Sequence, residues 1–115
     1  MTKVTLWHNP RCSKSRAALA LLEDAGHEVT VRRYLEDKPS AQEVTAACKA
    51  IGGDLLSMMR RGEKAFKDAG LSKDSSNTDL LAAMVAYPIL IERPIAFAGG
   101  KAVIGRPPER VLGIV

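Results

Sequence analysis

A short apolar run, Val4-Thr5-Leu6-Trp7, leads into His8-Asn9-Pro10-Arg11-Cys12 and then into a stretch of helical periodicity. This strand, loop and helix order constrains the fold more than any other feature of the chain. Ala18, Leu21, Leu22 and Ala25 recur at i, i+3, i+4 and i+7, which predicts a helix from Ser13 to Ala25 with Gly26 as its stop. Glu28 to Tyr34 alternates, with Val29 and Val31 on one side, and reads as a second strand. A strand, a crossing helix and a strand make a right-handed parallel βαβ unit.

The middle of the chain is helical in pattern. Ser40 and Glu43 form a capping box after Pro39. Val44, Ala47, Cys48 and Ile51 then share one apolar face, and Gly52-Gly53 ends the helix. Shorter helices are predicted over Asp54 to Arg61, Glu63 to Ala69 and Thr78 to Ala86. After Tyr87-Pro88 the pattern changes. Ile95 to Ala98 and Lys101 to Ile104 flank Gly99-Gly100, a hairpin signal. Pro107-Pro108 suits the first turn of a terminal helix from Glu109 to Leu112. The expected fold is α/β: a mixed four-stranded sheet carrying a helical insertion at about 40–86, within a single domain of 115 residues.

The cysteine at position 12 is where chemistry is expected. A helix start exposes unbonded N–H groups and the positive end of the helix dipole, and Arg11, Lys14 and Arg16 add cations. Each favours a thiolate. The same features form a cradle for a tetrahedral oxyanion. His8 is placed to pair with that thiolate. Three residues beyond Cys12, where many thiol-redox proteins carry a second cysteine, stands Ser15, so a resolving thiol must come from elsewhere. The other cysteine, Cys48, belongs to the apolar face of its helix and reads as a packing residue. His27, after Gly26, reads as a solvated turn residue. Arg60, Arg93 and Arg106 stand at a helix end, before Pro94, and between Gly105 and Pro107; their planar forks suit bidentate contact with oxyanions.

Composition excludes several alternatives. The chain is 46% hydrophobic, enough for a real core, yet has no apolar run long enough to span a bilayer. The stretch after Met1-Thr2-Lys3 does not read as a secretory signal, so a cytoplasmic protein is expected. The net charge is +4, but aromatics are only 4% and no Lys/Arg run exceeds two residues, which argues against nucleic acid. No His/Cys cluster has metal-ligand spacing.

Three motifs together carry a resemblance: His8-Asn9-Pro10-x-Cys12-x-x-Ser15-Arg16, Leu90-Ile91-x-Arg93-Pro94-Ile95 and Gly105-Arg106-Pro107-Pro108-Glu109. On these the chain resembles the ArsC family of glutaredoxin-dependent arsenate reductases, within the thioredoxin-like (glutaredoxin-like) fold, over its whole length. The resemblance implies Cys12 as nucleophile, with His8 and Ser15 favouring its thiolate. It implies Arg60, Arg93 and Arg106 as oxyanion-binding residues, with Arg16 beside them; the neighbouring Arg61 leaves the register at Arg60 open. Pro94 matches a position that is cis in thioredoxin-like folds. No bound cofactor is implied; glutathione is the co-substrate, glutaredoxin the protein partner, arsenate or a similar oxyanion the substrate, and a monomer the expected state. Between cysteine and serine this chain has Ser13-Lys14, where established arsenate reductases of the family typically have Gly-Thr. Two rival readings carry their own signatures. A Spx-type regulator that binds RNA polymerase commonly has a Cys-x-x-Cys switch, which Ser15 removes. A thiol reductase that does not act on arsenate shares the cysteine loop.

Overall fold

The sheet predicted from the alternating segments is present in the computed structural model, which describes residues 2–115. Its strands are β1 (Lys3–Trp7), β2 (Glu28–Arg32), β3 (Ile95–Ala98) and β4 (Lys101–Ile104), in the order β2-β1-β3-β4. β1 pairs with β2 in parallel, from Lys3↔Glu28 to Trp7↔Arg32. It pairs with β3 antiparallel, from Thr5↔Phe97 to Trp7↔Ile95. β3 and β4 form the expected hairpin. Its loop residues Gly99 and Gly100 have φ of 56° and 79°, the two positive values that a type I′ turn requires.

The chain divides into two compact units. One joins the chain up to Asp37 with Arg93–Val115, and the other is Lys38–Glu92. In the first, Val4 and Leu6 lie two apart and so share a sheet face, as do Ala96 and Ala98. That face packs against Ala18 and Leu22 of α1 (Ser13–Asp24) and against Val111. On the other face the Trp7 and Phe97 rings meet, centroids 4.9 Å apart and tilted by 50°.

Four expectations in this unit change in detail. α1 stops at Asp24; Ala25 is the cap, its N–H bonded to Leu21 O, and Gly26 follows with φ of 84°. β2 stops at Arg32 rather than Tyr34, because the N–H groups of Glu36 and Asp37 both turn back to Arg33 O at 3.0 and 2.8 Å. Val31, on this edge strand, is 40% exposed. His27 is not simply solvated: its Nδ1 accepts a hydrogen bond from the Thr2 N–H at 3.2 Å. The terminal helix is a 3-10 helix, Pro108–Ile114, entered through the i+3 bond from Arg110 N–H to Pro107 O.

Gly105 shows how tightly the segment around Arg106 is built. A Cβ added there would lie 2.8 Å from Pro94 Cγ and 2.9 Å from Val111 Cγ1. Gly105→Ala is therefore expected to destabilise the protein by about 1–3 kcal/mol through overpacking. Urea unfolding checks this; an unchanged midpoint contradicts it.

In the second unit, α2 (Ala41–Ile51) starts with the predicted capping box between Ser40 and Glu43 and ends at Gly52, with φ of 87°. It packs through Val44 and Ala47 near α4 (Asn77–Ala86), whose buried residues are Leu80, Ala83 and Met84. α3 is a short helix, Lys64–Asp68. The predicted helix over Asp54 to Arg61 shrinks to a 3-10 turn, Leu56–Met58. Asp54 binds the Ser57 N–H with its carboxylate at 2.8 Å and the Ser57 hydroxyl with its carbonyl at 2.7 Å. Such local side-chain bonding competes with helix propagation. Met59 then turns extended and pairs with Ile91. Among the described residues, no helix is long and apolar enough to cross a membrane.

Candidate active site

The loop after β1 is shaped by its own side chains. Cys12 N–H donates to Asn9 O at 3.0 Å, closing a turn with Pro10 at its second position, where the ring presets φ. Asn9 Oδ1 accepts the Arg11 N–H at 3.0 Å. Cys12 is the N-cap of α1, extended at φ −92° and ψ 122°, and its carbonyl accepts the first helical bond from Arg16 N–H. Its side chain therefore stands where the helix leaves N–H groups unbonded.

Three groups surround the Cys12 sulfur. The backbone N–H groups of Ser15 and Lys14 face Sγ, although the side chain closes no capping hydrogen bond. The Arg93 guanidinium lies within hydrogen-bonding reach. Burial is the largest single influence on the thiol and opposes ionisation. The Ser15 N–H, the Arg93 hydrogen bond, the Lys14 N–H and the Arg93 charge together outweigh it, so the pKa falls below that of an ordinary cysteine. No acidic residue occupies the first turn of α1 to oppose them.

Arg93 reaches the loop through sheet register. Trp7↔Ile95 pairing brings the residues before β3 beside the residues after β1. The Arg93-Pro94 peptide is cis, as is Arg106-Pro107. Arg106 Nη1 donates to Arg93 O at 3.3 Å, so the two arginines are neighbours.

His8 is 5% exposed and Ser15 is fully buried. The structure pairs His8 with Ser15 and not with the thiolate: Nδ1 and Ser15 Oγ are 2.7 Å apart, and Oγ also accepts the Asn9 N–H at 3.0 Å. Burial, then the charges of Arg33 and Arg16, lower the His8 pKa. Burial and these charges thus disfavour the imidazolium, and the ring braces the loop through Ser15. Arg16 is exposed, with Nη1 donating to Pro10 O at 2.9 Å.

The remaining candidates lie in the second unit. Arg60 is half-buried, its N–H bonded to Leu90 O at 2.7 Å and its guanidinium paired with the Glu63 carboxylate; Arg61 is exposed. Cys48 is half-buried rather than fully packed. Its Sγ donates to Gly53 O at 3.4 Å, and it lines a cavity of about 380 Å³ with Leu55 and Leu81. Burial, with the Asp54 charge, raises its pKa. The two thiols are shifted in opposite directions, so Cys12 carries the larger thiolate fraction at neutral pH. Iodoacetamide at pH 7 is therefore expected to label Cys12 faster than Cys48, as peptide mass spectrometry reads; equal rates, or faster labelling of Cys48, contradict this. Two participants escaped sequence reasoning. Asn9 organises the turn, and Arg33 acts on His8. Asn9-Pro10 was a legible turn signal, whereas Arg33 depends on the pairing of β2 with β1.

The model of the ArsC family matches residues 7–114. An arsenate reductase of Neisseria meningitidis is 40% identical, with 100% of both chains covered. The Escherichia coli K12 protein YfgD, described as uncharacterized, is 48% identical, with 100% of this chain and 99% of that one covered. The solved structure of an arsenate reductase from Vibrio cholerae superposes with a TM-score of 0.95 at 44% identity, covering 99% of this chain and 98% of that one. With its mixed four-stranded sheet, its cysteine at the start of α1 and these matches along its length, the chain belongs to the ArsC family.

Proposed function

We propose that the chain reduces arsenate to arsenite through the Cys12 thiolate, with glutathione and glutaredoxin as reductants. The observation that carries this reading is the setting of Cys12: a helix N-cap facing two backbone N–H groups and the Arg93 guanidinium. The names of the Neisseria and Vibrio relatives support the substrate.

Arg93, Arg106 and the α1 N-terminus suit a tetrahedral oxyanion. The thiolate attacks arsenic, forming an As–S bond as hydroxide leaves and is protonated to water. A glutathione thiolate then attacks the Cys12 sulfur. The As–S electron pair goes to arsenic, which departs as arsenite, and a Cys12–glutathione disulfide remains. Glutaredoxin attacks the glutathione sulfur and releases the Cys12 thiolate. Ser15 supports the need for an external thiol, since its hydroxyl is buried and held by His8. The test is arsenite formation from arsenate with glutathione and glutaredoxin. Arsenite is the expected product. None, from protein whose Cys12 alkylates normally, favours the second reading that Ser13-Lys14 motivates, a thiol reductase acting on another substrate.

A further inference from the structure

Arg33 stands at the edge of this site and has no part in the reduction of arsenate through Cys12. Trp7 is in register with Arg32, and the His8 N–H donates to Arg32 O at 2.8 Å. Arg33 therefore leaves β2 beside His8, at the carboxyl end of the parallel pair, where open α/β sheets bind their ligands. Its charge is felt at His8. His8 is bonded to Ser15, whose N–H faces Cys12 Sγ.

The two neighbouring arginines differ. Arg32 stands over the Trp7 ring at 5.7 Å and pairs with the Asp37 carboxylate at 3.3 Å, so both are engaged. Arg33 is exposed to solvent. Arg11, next to Cys12 in the chain, and Lys14, in the first turn of α1, are exposed too. Glu36 is the carboxylate left in the turn after β2. Three exposed cations thus lie on the loop and first helical turn that carry Cys12 and at the residue that leaves β2 beside His8.

We propose that Arg33, together with Arg11 and Lys14, forms a cationic rim that recruits a carboxylate-bearing thiol or disulfide to Cys12 in preference to a neutral one. This rests on the reading of Cys12 as the reactive thiolate and assigns the residues that select its anionic reductant over a neutral thiol. A bare thiolate repels an anionic partner; the rim reverses the local sign. Exposed charges of this kind act chiefly on encounter rate and are screened by salt.

Thiol–disulfide exchange tests the rim without arsenate. The Cys12 thiolate attacks one sulfur of oxidised glutathione, a new S–S bond forms, the old one breaks, and a glutathione thiolate leaves. The same exchange with bis(2-hydroxyethyl) disulfide is the neutral control. The readout is the ratio of the two rate constants, measured on the full chain. In Arg33→Glu the ratio is expected to fall at least about threefold, with a smaller fall in Arg33→Gln. In the unmodified protein the ratio should fall towards that of the variant in 1 M salt, where the Debye length is about 3 Å. A ratio unchanged by both substitutions and by salt overturns the proposal, as does an equal fall in both rates, which would mark Arg33 as structural. Failure of arsenate reduction with the charge selectivity intact would leave the rim standing and remove only the arsenate reading.

Discussion

Replacing Cys12 with serine is expected to abolish arsenate reduction, by roughly 10³-fold or more, while Cys48→Ala leaves it close to normal. Loss of a covalent nucleophile is among the largest single-residue effects in enzymes, and a serine hydroxyl in place of Cys12 has no lowered pKa to supply an anion at neutral pH. The two cysteines provide an internal control. Cys12 sits among N–H groups and Arg93 with its pKa lowered, whereas Cys48 bonds a carbonyl with its pKa raised. Arsenite formation in the presence of glutathione and glutaredoxin checks the pair of variants. Activity retained in Cys12→Ser, or lost in Cys48→Ala with the fold intact by circular dichroism, contradicts the assignment.

The second large effect is expected at Arg93. Its guanidinium gives Cys12 both a hydrogen bond and a positive charge. In Arg93→Ala both are removed, while the burial that disfavours the thiolate remains. The Cys12 pKa must therefore rise, and the pH profile of its alkylation must move to higher pH. A charged hydrogen bond contributes about 1.5–3 kcal/mol, so single-turnover arsenate reduction should slow about tenfold or more. Arg93→Lys should recover part of the pKa effect, because the charge returns. It should recover less of the reduction rate, because lysine lacks the planar fork that binds an oxyanion through two parallel bonds. Arg93→Ala with an unchanged alkylation profile and an unchanged rate would show that Arg93 takes no part in the site.

The features legible in the sequence are those settled within a few residues. The Gly99-Gly100 turn, the Ser40–Glu43 box and the left-handed stops at Gly26 and Gly52 depend on local chemistry, and the structure has each of them. Where reading failed, distant pairing had a share. The stretch from Asp54 to Arg61 has a helical composition, but the Asp54–Ser57 bonds compete with helix at its start and the Met59 bridge to Ile91 draws its end into extended backbone. His27 looks like an idle turn residue until the Thr2 N–H is brought to it by the β1–β2 pairing. The same division runs through the site. The position of Cys12 at a helix start follows from Pro10 and the periodicity after it. That Arg93 meets its sulfur follows only from the Trp7↔Ile95 register across a long span of chain, which no local pattern encodes. The partnership of His8 with Ser15 is intermediate. Both residues flank the same loop, but which of Ser15 and Cys12 the imidazole would take is decided by its burial and by the turn at Asn9.

The most direct measurement of the central claim is peptide mass spectrometry after a single turnover with arsenate and glutathione, glutaredoxin being withheld. The cycle should then stop at its last intermediate. The predicted result is one glutathione in disulfide linkage to Cys12, formed only when arsenate is present, with Cys48 still a free thiol. A Cys12–Cys48 disulfide would contradict it by making the external thiol unnecessary, and arsenite formed with Cys12 unmodified throughout would contradict it by removing the nucleophile.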